Sequence, residues 1–210
     1  MKFKIVSLFV LCAILISCGT SRQGGKKQRK GTKAQVVLTP EQQRKYDYFF
    51  LEASRLKMKD DYSAAFDLLQ HCLTINPNAS SALYEISQYY MYLKQVPQGQ
   101  AALEKAVEND PDNYWYSQGL ASLYQQQNEM QKATNLLESM ATRFSDRMDP
   151  LYSLLDIYNR LEEYDNVITT LNRLEEKMGK NEQLSMEKFR IYLQKKDNQS
   201  AFREIESLVE

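Results

Sequence analysis

Asp60–Asn78 reads DDYSAAFDLLQHCLTINPN, and its decisive property is that the pattern returns. Shifted by 34 residues, Leu69 falls on Leu103 and Pro77 on Pro111, and just upstream Leu56 falls on Tyr90. The register holds to the end of the chain. One column runs Leu56, Tyr90, Tyr124, Tyr158, Tyr192; a second Ala65, Gly99, Ala133, Val167, Ala201; a third Leu69, Leu103, Leu137, Leu171, Ile205; a fourth Cys72, Ala106, Met140, Leu174, Leu208. Apolar residues recur at helical spacing inside each unit, and self-similarity at a fixed period of this kind is the signature of a repeat array. Five units fit, near 46–79, 80–113, 114–147, 148–181 and 182–210.

Small residues recur at two fixed places in the unit, Ala53, Ser87 and Ala121 at one and Ala65, Gly99, Ala133 and Ala201 at the other, with Pro77 and Pro111 near its end. This arrangement resembles the tetratricopeptide repeat (TPR) family. The resemblance implies an all-α fold, a TPR-type α-solenoid of about five helix-turn-helix repeats. Departures gather late. Leu155 and Phe189 replace the small residue of the first helix, Val167 is larger than alanine, and Ser145 and Gly179 stand where proline would.

In such an array each unit's apolar face is covered by the next. The last unit still shows an apolar stripe at Ile205, Leu208 and Val209. Further C-terminal repeats or an oligomer partner are therefore expected to cover it.

Upstream of the repeats the chemistry changes. Lys2 and Lys4 precede an apolar run from Ile5 to Ile16, too short for a membrane-crossing helix, which needs about 20 residues. Residues 1–17 read as a signal peptide. Leu15-Ile16-Ser17-Cys18 resembles the bacterial lipobox, which implies lipidation at Cys18 and cleavage before it; the alternative is an ordinary secretory signal with an incidental cysteine. Residues 18–38, with Arg22, Lys26, Lys27, Arg29, Lys30 and Lys33 among small polar residues, read as a basic flexible tether. Basic groups beside an anchor add attraction to an anionic leaflet, and a plain solubilising spacer accounts for the same residues. Thr39-Pro40-Glu41-Gln42 predicts a capped helix start, so the repeat domain is placed at 39–210. By resemblance to Gram-negative lipoproteins, Gly19 after the cysteine implies the outer membrane, periplasmic face, with the inner membrane as the alternative.

The formal net charge of zero hides a division. Eight of the 27 Lys/Arg lie in the first 35 residues, where no Asp or Glu occurs, so the rest holds 19 basic against 27 acidic groups. A body near −8 argues against nucleic acid, which is gripped by clustered Lys and Arg. With Cys12 in the signal and Cys18 lipidated, Cys72 is the one free thiol, in a packing column and read as a small core residue. The single histidine, His71, and the absence of any Cys/His/Asp/Glu cluster predict no metal, no cofactor and no enzyme. Neighbouring acids such as Glu162-Glu163 point about 100° apart on a helix and do not converge.

The family binds along a concave groove lined by the first helices. Carrying that register over implies a peptide-binding groove of Tyr84, Gln88, Met91, Tyr92, Trp115, Gln118, Ser122, Gln125, Tyr152, Asp156 and Asn159. The basic clamp by which some relatives read acidic tails is missing, since Phe50, Ser54, Gln118 and Ser122 occupy its positions. The function so implied is a scaffold for a protein or peptide partner in the cell envelope, the alternative being glycan capture on the same aromatic residues. The column reading is checked by Leu137→Asp. A buried unpaired carboxylate costs several kcal/mol against a total stability of roughly 5–15, so loss of the helical circular-dichroism signal at room temperature is expected.

Overall fold

The structure, a computed structural model, describes residues 37–208. The signal segment, Cys18, all but the end of the tether, and Val209 lie outside the described residues. Within them are ten α-helices in five consecutive hairpins: α1 (Pro40–Lys57) with α2 (Tyr62–Ile75), α3 (Ser80–Tyr92) with α4 (Val96–Asn109), α5 (Tyr114–Gln126) with α6 (Met130–Arg143), α7 (Asp149–Arg160) with α8 (Tyr164–Met178), and α9 (Glu182–Gln194) with α10 (Asn198–Glu206). Packing runs between helices consecutive in the chain, as a stacked array requires. The first helix starts as the sequence predicts. Thr39 accepts from the Gln42 amide and the Gln42 side chain accepts from Thr39 N–H, closing the capping box.

The hairpin turn is one motif used five times. The N–H of Asp61, Gln95, Glu129, Glu163 and Asp197 donates to the carbonyl of the Leu/Tyr column five residues back, at 2.8–3.0 Å. The preceding residue, Asp60, Lys94, Asn128, Glu162 or Lys196, is left-handed with φ between 55° and 62° and donates to the carbonyl three residues back. This is the Schellman closure, which satisfies the carbonyls a helix end leaves open. Glycine is its usual occupant, yet none of these five positions holds one.

The columns are the core. Leu69, Leu103, Leu137 and Leu171 are buried, as are Ala65, Ala133, Val167 and Ala201, and Cys72 is fully enclosed. Its burial pushes the thiol up to about 11, so it stays neutral. The late departures are accommodated: Leu155 is half-buried against the core, and Val167 is fully buried. Gly99 has a local reason. A Cβ there would lie 2.7 Å from Met91 Sδ and 3.2 Å from the Ser87 carbonyl, so the glycine leaves room for the Met91 side chain and the α3 backbone against α4.

Two polar devices hold the seams. The Tyr124 hydroxyl donates to Glu104 at 2.9 Å, and one unit later the Tyr158 hydroxyl donates to Glu138 at 3.3 Å, with Arg173 on the other Glu138 oxygen at 2.8 Å. In the fifth unit Lys188 takes the position held by Ile86, Leu120 and Leu154. It is 3% exposed and lies 2.8 Å from Glu175 and 3.2 Å from Glu204. Burial works against its charge, but the two carboxylates outweigh it and hold the ammonium pKa above its ordinary value.

Burial, then the nearby Glu138 charge and hydrogen bond, raise Tyr158 to about 12; burial and Glu104 raise Tyr124 further. A group raised in the folded state contributes stability that is present below its unfolded pKa and is lost as pH climbs through the folded value. The melting temperature is therefore expected to hold to about pH 9 and to fall above about pH 10. Replacing both tyrosines by phenylalanine should cost about 1 kcal/mol per lost hydrogen bond at neutral pH while flattening that alkaline decline, as read by circular-dichroism melts.

Candidate functional site

Within a unit, packing consumes some first-helix positions and leaves others open. Counting from 46, 80, 114, 148 and 182, the seventh and tenth positions are taken up by packing in the inner units. In the second to fourth units they are Ile86, Leu120, Leu154 and Tyr89, Leu123, Ile157, all buried. The second, fifth, ninth, twelfth and thirteenth positions carry the eleven residues named above, on α3, α5 and α7.

The structure treats these eleven differently. Tyr92 and Trp115 are 80% and 63% exposed, the Trp115 ring edge-to-face with Tyr114 at 5.3 Å, and Tyr152 is 47% exposed with its hydroxyl on Met178 Sδ at 3.4 Å. Gln88 is exposed, its amide donating to Ser87 Oγ at 3.3 Å. Asp156 is exposed and sits 3.8 Å from Arg160 on its own helix. Ser122, Gln125 and Asn159 are half-buried. Gln118 accepts from the Tyr114 hydroxyl at 3.1 Å, which fixes its amide. Met91 is the departure: its thioether packs over Gly99 in the seam with α4, because the glycine leaves a space that a flexible unbranched side chain fills.

Tyr84 has a double role. Its ring lies 4.8 Å from that of Tyr116, tilted by 32°, and it packs against both hydrophobic clusters, one spanning the first two units and one the rest. Beneath it is Gly119. Tyr84 and Trp115 are the two of the eleven brought into one concavity, an open cleft of about 380 Å³ that they share with Phe50, Ser81, Glu85, Asn113 and Tyr116. Three first helices, α1, α3 and α5, contribute to it.

The cleft residues outside the eleven had a signal in the sequence. Phe50 shares the fifth-position column with Tyr84, and Glu85 and Tyr116 adjoin named residues on the same helices. Around the cleft the charges are specific. Lys57 Nζ lies 2.7 Å from Glu85, and the Arg147 guanidinium sits 3.9 Å from the Tyr114 ring centroid and 5.5 Å from that of Trp115. Burial, then the charges of Asp110 and Glu85 among others, raise the Tyr116 hydroxyl above its ordinary pKa. His71 is exposed and lies against Phe49 at 5.6 Å. Among the described residues no group of three Cys, His, Asp or Glu converges as metal ligands, and no helix is long and apolar enough to cross a membrane.

The tetratricopeptide repeat family profile matches residues 80–113, the second unit at the boundaries the columns predict. Among solved structures, MamA protein superposes with a TM-score of 0.59 at 18% identity, over 78% of this chain and 90% of that one. The fold is a TPR-type helical solenoid. MamA from Desulfovibrio magneticus RS-1 aligns at a TM-score of 0.55 and 13% identity, over 79% of this chain and 93% of that one. YrrB, a TPR protein with an unusual peptide-binding site, aligns at 0.56 and 13%, over 75% and 81%. No curated protein sequence matches the chain.

Gly119 gives the site's structural check. A methyl group there would lie 3.6 Å from Tyr84 and 3.8 Å from Leu103, ordinary contact distances in this TPR helix. Gly119→Ala should therefore gain helix propensity without displacing Tyr84. A stabilisation of about 0.5–1 kcal/mol, seen as a rise in melting temperature, is expected.

Proposed function

We propose that this chain is a membrane-anchored, periplasm-facing interaction scaffold that binds a peptide segment of an envelope protein along the first-helix groove of its TPR array. The observation that carries this reading is that aromatic side chains are left uncovered on three successive first helices, at Tyr92, Trp115 and Tyr152. Large rings with few torsions lose little entropy on binding, and such residues dominate the energy of interfaces. Exposed amides at Gln88 and Gln126 beside them can pair with an extended backbone. That YrrB has a peptide-binding site on the same fold agrees with the reading.

The anchor rests on the Leu15–Cys18 motif behind a basic, apolar N-terminus. A lipidated Cys18 carrying more than one acyl chain holds a protein stably at a membrane. The acidic body then hangs on a basic leash. The face formed by Phe202, 66% exposed, and half-buried Ile205 is read as the seat of further repeats or of an oligomer partner.

Two measurements test the proposal in cells that express the full chain. Radiolabelled palmitate is expected to enter the protein and to be lost from Cys18→Ser; no incorporation removes the anchor. Crosslinking and pull-down are expected to recover a partner whose yield falls at least tenfold in Tyr92→Ala/Trp115→Ala, in line with loss of about 1.4 kcal/mol or more from two interface aromatics. Equal recovery would remove the groove from the account.

A further inference from the structure

Resting on the groove reading, we infer that the cleft between α1, α3 and α5 receives a cationic side chain, arginine or lysine, of the bound peptide. Four rings from three first helices border it: Phe50, Tyr84, Trp115 and Tyr116. Ring faces carry the negative end of the aromatic quadrupole and attract a cation held within about 6 Å. The one charged residue in the lining is Glu85, and no lysine, arginine or histidine borders the space. Asp110 adds a second carboxylate felt at Tyr116.

The chain's own cations already show what this neighbourhood attracts. Lys57 reaches across from α1 to Glu85 at 2.7 Å, and Arg147 stacks on Tyr114 and approaches Trp115. Lys57 is half-exposed and flexible, so it is a displaceable competitor and not a structural plug. Glu85 keeps 28% of its side chain exposed, which leaves the carboxylate open to a second donor. An acidic peptide would meet Glu85 and a body with eight more acidic than basic groups, so its charge is opposed at close range and at long range.

The cleft contains its own reporter, because Trp115 is the only tryptophan in the chain. Its fluorescence is followed while the full chain is titrated with three capped pentapeptides, each with one central residue among glycines: arginine, its neutral isostere citrulline, or glutamate. The arginine peptide is expected to act at a concentration about fivefold lower than the citrulline peptide, the size of an exposed cation–aromatic contact, and the glutamate peptide to be weakest. Glu85→Gln should erase the preference for arginine. Lys57→Gln should strengthen it about threefold, because the competing ammonium is gone. Circular-dichroism melts confirm that both variants are folded before titration.

Equal action of arginine and citrulline, a preference for glutamate, or an unchanged preference in Glu85→Gln overturns the inference. If partner capture still depends on Tyr92 and Trp115 while arginine and citrulline tie, the groove stands and the cation assignment falls. If capture is indifferent to those rings as well, both fall.

Discussion

A hairpin of two helices, each of about thirteen residues, cannot hide its own apolar stripe, and isolated helices of that length are marginal in water. Here the stripes of the first four hairpins are each covered by the hairpin that follows. Leu103, Leu137 and Leu171 reach full burial because the next first helix brings a tyrosine whose ring lies along the seam and whose hydroxyl, in two seams, finds a glutamate. Stability is therefore a sum over interfaces, and two of them add to the ring a polar partner placed 20 residues away, Glu104 for Tyr124 and Glu138 for Tyr158. The regular turn is what keeps those partners in register. Five Schellman closures with a left-handed residue every 34 positions return each chain segment at the same angle.

The fold was legible in the sequence because packing columns repeat with the same period as the structure. Leu69, Cys72 and Ala65 could be assigned to the core from spacing alone, and the capped start at Thr39 from local chemistry. Two features were not legible, for different reasons. The turn residues are Asp60, Lys94, Asn128, Glu162 and Lys196, five non-glycine residues with no shared side-chain chemistry, so composition hides a conformation that the backbone hydrogen bonds impose. Lys188 stands where Ile86, Leu120 and Leu154 stand in earlier units. In space it is neutralised by Glu175 and Glu204, which arrive from α8 and α10, and no periodicity within one helix could have announced that pairing.

The candidate site was legible to the level of helix faces and no finer. A register of 34 places a residue on a face, but the direction of its side chain depends on what the neighbouring unit leaves empty. Met91 turns into the seam because Gly99 opens it; Trp115 stays largely exposed, its ring beside Tyr114 and Arg147. Tyr84 does both, closing the junction between two cores with one edge and bordering the cleft with another. Phe50, Glu85 and Tyr116 join it there because three adjacent first helices converge, a relation between units and not within one.

This division of positions explains how such an array can change its ligand without losing its fold. The seventh and tenth positions are fixed by burial in the second to fourth hairpins, and in the first, where no hairpin precedes it among the described residues, they become Glu52 and Arg55, paired with each other. Solvent, not function, sets those two. None of the second, fifth and thirteenth positions is fully buried, and their chemistry varies from Asp47 to Trp115, from Phe50 to Gln118, and from Met58 to Arg160. From these positions Phe50, Tyr84 and Trp115 meet Tyr116 and Glu85 in one ring-lined cleft. Phe50, Tyr84 and Tyr116 also pack against the hydrophobic clusters, while Trp115 and Glu85 leave open enough surface to act on a ligand.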